Sequence, residues 1–159
     1  MLTVFLPCRK GSQRVPDKNI RPFAGYPHGL IEIKLKQLLA CTRIDKILLS
    51  SNDERILDFA SSYAEERLSI DHRPDWLGSS DTTTDQLIQY VPSVIAEGDI
   101  LWTHVTSPFM DEAQYGHMID LYYQNLSKGH DSLMTAKVIY GFLWNKTGPI
   151  NYLREQEKW

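Results

Sequence analysis

The sequence has no apolar run of membrane-spanning length, and the short apolar stretch in its opening MLTVFLPCRKG has no basic leader before it. Neither a membrane span nor a secretory leader is expected, and the cytoplasm is the expected location. Cysteine is scarce. Cys8 and Cys41 are the two in 159 residues, and their spacing makes neither a zinc set nor a disulfide framework. Cys41, inside an apolar helical stretch, reads as a small core residue. Cys8 lies in a polar loop, but no base is assigned to it, so a nucleophilic thiol is disfavoured. Excess basic charge is missing as well: the net charge of −3 gives no bulk electrostatic case for nucleic acid. Internal repeats, low-complexity tracts and linkers are absent. What is present is an ordinary globular balance, 42% hydrophobic and 23% charged, in a length that suits one domain with one core.

Apolar runs alternate with helical patterns, the signature of a parallel sheet with crossover helices. Thr3–Pro7 reads as a buried first strand and Lys46–Ser50 as a second. Between them, Leu30–Ala40 has apolar residues at 31, 35, 38 and 39, one face of a helix. Ser51 and Asn52 are expected caps for a helix over Asp53–Tyr63. Leu68–Asp71 is a short third strand, and a hydroxyl-rich loop from Arg73 to Gln86 leads into a helix through Val94. Ile100–Val105 is the fourth strand, a helix follows near Glu112–Leu126, and Ser132–Val138 is the fifth strand. The remainder reads as irregular or hairpin-like. In open α/β sheets, ligands bind beyond the carboxyl ends of the strands. This element order brings three segments to that edge: the loop after the first strand, the loop 73–86 and the turn 104–108.

The first of these loops is basic. Arg9, Lys10, Arg14, Lys18 and Arg21 stand against a single acid, Asp17. In an acidic chain this concentration suits a pocket for a compact anion, although on charge alone a solvated loop fits equally well. Phosphate binding needs free backbone N–H groups and fixed positive charge. Gly11 and Ser12 allow a tight turn, and Arg9 and Lys18 flank it. No Gly-Lys-Ser/Thr run leads into a helix, Pro16 and Pro22 hold the segment extended, and the three-glycine dinucleotide fingerprint is missing. A P-loop NTPase or a nicotinamide dehydrogenase is therefore disfavoured.

The string LPCRKGSQRVPDKNIRPFAGYP, beginning at Leu6, resembles the N-terminal signature of the acylneuraminate cytidylyltransferases, the CMP-sialic acid synthetases. Arg9, Gly11, Ser12, Pro16, Lys18 and Asn19 match that signature in order and spacing; the deoxyoctulosonate branch usually lacks the Lys-Asn pair. Arg73-Pro74 with SSDTTT at 79–84 resembles a second family segment, and HVTSPF at 104–109 a third. The resemblance implies an α/β fold, a Rossmann-like nucleotidyltransferase three-layer sandwich with a mostly parallel sheet. Residues 1–159 would form a single domain that stops short on its C-terminal side. Arg9 and Lys18 would be the catalytic pair, stabilising a triphosphate. Cys8, Gly11, Ser12, Asn19, Arg73, Asp81, Thr82 and Thr83 would bind nucleotide, and His104, Thr106 and Ser107 the sugar. The implied reaction is attack of the anomeric hydroxyl of a sialic-acid-like nonulosonic acid on the α-phosphorus of CTP, expelling pyrophosphate, with Mg²⁺ neutralising charge. The implied partners are CTP and the sugar acid, without nucleic acid or membrane, in a homodimer of the kind common among relatives.

The chain departs from the pattern in four places. His104 stands where Gln is usual, Met110 where a basic residue often follows the Ser-Pro pair, and Cys8 where alanine is usual. The family's later Pro-Arg segment and its metal-binding carboxylates are not matched; no metal ligand is assigned, and Asp81 and Asp85 read as helix-capping residues rather than a Mg²⁺ site. A catalytically incomplete nucleotide-binding module, or a nucleotidyltransferase for another sugar or base, are the alternative readings. His28, His72, His117 and His130 share no ligand spacing. Trp76, Trp102, Trp144 and Trp159 read as core or interface residues, with Trp76 alone in a loop facing the expected site.

Overall fold

The first strand settles the layout. Leu2, Val4 and Leu6 point to one side of β1 (Leu2–Pro7) and Phe5 to the other, all essentially inaccessible, so β1 is buried on both faces. The computed structural model describes residues 1–12 and 14–152. It places β1 between β2 (Lys46–Ser51) and β4 (Asp99–Trp102), with β3 (Leu68–His72) outside β2, in a sheet of order β3-β2-β1-β4. All three pairings are parallel.

Parallel neighbours need crossovers, and the helices supply them. The helices are α1 (Gly29–Ala40), α2 (Glu54–Ser61), a single turn α3 (Asp75–Gly78), α4 (Thr84–Val94) and α5 (Glu112–Leu126). Ile31, Leu35 and Leu38 of α1, Ile56 and Ala60 of α2, and Tyr115 and Ile119 of α5 pack with Val4, Leu6, Ile47 and Leu49 on one side of the sheet. On the other side, Val91 and Ile95 at the end of α4 pack with Phe5 and Leu48. The result is a three-layer α/β/α arrangement. Two compact units divide the chain, Met1–Gln124 and Asn125–Trp159. Within the second, Trp144 and Pro149 form an isolated antiparallel bridge, as the hairpin-like reading anticipates.

Three local expectations need correction. The helix after β2 is capped by neither Ser51 nor Asn52. Asp53 caps it, its carboxylate accepting the Arg55 N–H at 3.2 Å, because the strand continues through Ser51. Asp81 does not cap α4; Thr83 does, in a reciprocal capping box with Gln86. The fifth strand over Ser132–Val138 is not formed. An apolar run becomes a strand only where another edge takes up its N–H and C=O groups, and these residues join no ladder, with Met134 87% and Val138 69% exposed. Trp76 and Trp144 are exposed rather than core residues, Trp102 is half-buried, and Trp159 lies outside the described residues.

Candidate functional site

Three strands deliver one nitrogenous side chain each to the carboxyl edge of the sheet. Arg9 is the second residue beyond β1, Arg73 the first beyond β3, and His104 the second beyond β4. With Ser12, Lys18, Asn19 and Thr106 they line one cavity of about 280 Å³, completed by Pro7, Leu87 and Val105. The strand order reverses direction at β1, and the cavity lies at that switch point. Its lining holds three permanent cations and no carboxylate.

These cations are held differently. Arg9 and Lys18 form no ion pair with the described residues, so their charge is not neutralised by the protein. The loop carrying them is tethered through its neighbours. Asn19 Nδ2 donates to the Arg9 carbonyl at 3.1 Å, the Lys10 N–H donates to Asn52 Oδ1 at 2.9 Å, and Arg55 pairs with Asp17 at 2.7 Å. The chain turns left-handed at Gly11 (φ 74°) and at Asp17 (φ 52°), a conformation Asp tolerates better than most residues. Arg73 is 5% exposed. One guanidinium nitrogen, Nη2, donates to the Ser50 carbonyl at 3.1 Å, and Nε has no partner among the described residues. Burial pushes its pKa down, but a guanidinium remains charged. A buried N–H left unpaired costs about 1–3 kcal/mol, which an oxygen of a bound anion would recover.

The other expected residues fall outside this cavity. Cys8 is buried and belongs to the core. Its carbonyl accepts the Ser51 hydroxyl at 2.6 Å, and burial pushes its thiol up to about 12. It is a neutral packing residue, which agrees with the disfavoured nucleophile. Gly11 lines a small adjoining cleft beside Asp17 and Asp53. Asp81, Thr82 and Thr83 are engaged locally: the Asp81 N–H donates to the Ser79 hydroxyl, the Thr82 hydroxyl to the Trp76 carbonyl, and Thr83 caps α4. Ser107 turns its carbonyl inward.

That carbonyl accepts from a lysine outside the three edge segments. Lys34, on α1, is completely buried, and its ammonium donates to the carbonyls of Ser107 at 2.8 Å and Met110 at 3.3 Å and to the Tyr115 hydroxyl at 2.9 Å. Gln37 adds a bond to the Pro108 carbonyl at 2.7 Å. One face of α1 thus clamps the turn that carries His104 and Thr106. Burial brings the Lys34 pKa down to about 8. The signal was a lysine at position 34 among the apolar face positions 31, 35 and 38. Trp102, expected as a core or interface residue, also donates its indole N–H to His104 Nε2 at 3.1 Å.

A magnesium site is not among the features these residues make. No group of three Asp, Glu, His or Cys side chains among the described residues is placed to hold an ion. Asp17 and Asp53, which line the adjoining cleft, are both committed to Arg55.

A family model described as cytidylyltransferase matches residues 3–139. The chain belongs to the cytidylyltransferase family. Pseudaminic acid cytidylyltransferase of Campylobacter jejuni subsp. jejuni serotype O:2 is 27% identical over 129 residues, 78% of this chain and 54% of that protein. CMP-N,N'-diacetyllegionaminic acid synthase of Legionella pneumophila is 27% identical over 131 residues, 76% of this chain and 53% of that one. A solved CMP:2-keto-3-deoxy-manno-octonic acid synthetase in complex with CTP superposes with a TM-score of 0.62 at 15% identity, over 79% of this chain and 48% of that one. That likeness establishes the Rossmann-like nucleotidyltransferase fold. The chain spans about half the length of the curated relatives it matches. Among the described residues, no helix is long and apolar enough to cross a membrane.

Proposed function

We propose that this chain carries the CTP-binding part of an enzyme that transfers CMP to the anomeric hydroxyl of a sialic-acid-like nonulosonic acid and releases pyrophosphate. The observation that carries this reading is the cavity in which Arg9, Lys18 and Arg73 meet without a carboxylate, on a chain whose relatives are named for activating pseudaminic and legionaminic acids. Arg9 and Lys18 would neutralise the triphosphate, and charge held in advance in a cavity stabilises a developing phosphate anion without reorganisation. Ser12 and Asn19 would supply hydrogen bonds beside them. Arg73 would give its unpaired N–H to the nucleotide, and His104 and Thr106 would meet the sugar acid.

The test is calorimetry of CTP, UTP, GTP and ATP against the chain, followed by pyrophosphate release with Mg²⁺ and a panel of nonulosonic acids. CTP binding above the other three, with turnover on a nonulosonic acid, is the expected result. A preference for another nucleotide sinks the cytidine assignment. CTP binding without turnover on any sugar supports the catalytically incomplete nucleotide-binding module instead. Cytoplasmic location, Mg²⁺ dependence and a dimer are parts of the same proposal, checked by fractionation, chelation and sedimentation.

A further inference from the structure

Within the cavity, the three guanidinium and ammonium groups have one possible charge state near neutrality, whereas the imidazole of His104 has several forms. Its form is decided from behind. Trp102 is half-buried, with its indole edge-on to Phe5 of β1, ring centroids 4.9 Å apart and planes at 71°. Phe5 itself is fully buried, which fixes where the indole lies. The indole N–H points at His104 Nε2, 3.1 Å away. An indole nitrogen can only donate. The imidazole nitrogen that faces it must therefore accept, and an accepting nitrogen carries no proton. The ring's remaining proton sits on Nδ1, which has no hydrogen-bond partner among the described residues.

We infer that Trp102 holds His104 as the neutral, Nδ1-protonated imidazole, a fixed donor to an anionic oxygen of a bound ligand and not a general base for the reaction. This rests on the reading of the cavity given under Proposed function. Trp102 acts through His104, so it is a positioning residue.

The surroundings push the same way. Protonating Nε2 would set two N–H groups against each other at 3.1 Å. The charged groups that line the cavity with His104 are Arg9 and Lys18 from the loop after β1 and Arg73 from the end of β3, all cations and none able to accept a proton from an imidazolium. Partial burial of the ring lowers its pKa further below the ordinary 6.5. With Nε2 occupied and Nδ1 already protonated, the ring has no site left to take a proton from an attacking hydroxyl. It offers one hydrogen bond, and among anions that cavity can admit, the oxygen that accepts it comes from a phosphate or from a carboxylate.

The test is a long-range ¹H–¹⁵N correlation spectrum of the histidine-labelled chain, with His104 assigned by its loss in His104→Gln. The expected wild-type pattern is a bare Nε2 and a protonated Nδ1, persisting as the pH falls to below 6.5. Trp102→Phe keeps an aromatic ring against Phe5 but removes the N–H. In that variant the midpoint should move up toward the ordinary value and the Nε2-protonated tautomer should appear. A protonated Nε2 in the wild type, or an unchanged tautomer and midpoint in Trp102→Phe, overturns the inference.

The ligand is then addressed in metal-free buffer with CTP alone and with CTP plus N-acetylneuraminate. A change in the Nδ1–H signal with CTP alone assigns the accepting oxygen to a phosphate. A change only when the sugar acid is added assigns it to the carboxylate. If calorimetry on the same samples records CTP binding while neither addition moves the signal, the recognition role is overturned and the CTP reading stands. Absence of CTP binding fails that reading, and the tautomer comparison still decides the role of Trp102.

Discussion

The two loops that meet over β1 use lysine and arginine in opposite directions. The loop after β1 brings Arg9 and Lys18 to the cavity without an ion-pair partner among the described residues and leaves the holding to Asn19, Asn52 and Arg55. The turn after β4 presents His104 and Thr106, and its cation, Lys34, comes from α1 and is buried beneath it. The half-buried charges of Arg9 and Lys18 line the cavity, while the fully buried charge of Lys34 is spent on two backbone carbonyls and a tyrosine hydroxyl. A basic residue near a site is therefore assigned by its partners, not by its sign or proximity.

The sharpest separation comes from Arg9→Ala. Charge-assisted hydrogen bonds contribute about 1.5–3 kcal/mol, so CTP affinity by calorimetry should fall about 10- to 100-fold. The thermal midpoint should stay close to wild type, since the Arg9 side chain forms no ion pair with the described residues. A large fall in the midpoint would mean that the Arg9 side chain holds its loop rather than serving the cavity. Lys34→Met should behave in reverse. The Ser107 and Met110 carbonyls and the Tyr115 hydroxyl lose a donor, a cost of about 1–3 kcal/mol in urea unfolding that relief from burying the ammonium partly offsets. CTP affinity should change less than in Arg9→Ala. A Lys34 variant that unfolds normally but loses CTP would place this ammonium with the ligand cations.

A smaller effect is visible in pH. The Lys34 pKa is about 8 in the folded chain against 10.5 for an unperturbed lysine. Between those values the unfolded chain binds more protons, so this group makes stability rise with pH from about 8 to 10.5. Subtracting the Lys34→Met curve removes the tyrosines common to both proteins, among them Tyr90, whose burial and bond to Asp71 push it up to about 12. The wild-type advantage should therefore grow across that window. An advantage that shrinks would mean the three oxygens around Nζ hold its proton more firmly than burial expels it.

How much of this was legible follows from the range of each interaction. Sheet, crossover helices and edge loops rest on local periodicity, and the alternation of Val4, Phe5 and Leu6 or the spacing of Ile31, Leu35 and Leu38 is written within a few residues. The gathering of Arg9, Arg73 and His104 followed from element order, because parallel strands share one carboxyl edge. Lys34 was not legible in this way, since its acceptors at 107, 110 and 115 are more than seventy residues away. Trp102 and His104 were closer to hand: residues two apart on a strand share a face, and a Trp and a His there can meet. The fifth strand failed for the opposite reason, because 132–138 has the composition of a strand but joins no ladder. The Thr83 cap was misassigned to Asp81 because both are good caps and only the helix start separates them.

The strand exits also act as a caliper. Arg9, Arg73 and His104 stand one or two residues past their strands, so the sheet, not the loops, sets the spacing between them. One residue inserted between Pro7 and Arg9 would carry the guanidinium up to about 3.3 Å along the chain and reverse the side to which it points. That displacement is as long as a hydrogen bond. Insertions where the helices return to the amino edge of the sheet leave the distances between these three side chains untouched. The molecule can therefore be lengthened at one end of its strands and tolerates almost no lengthening at the other.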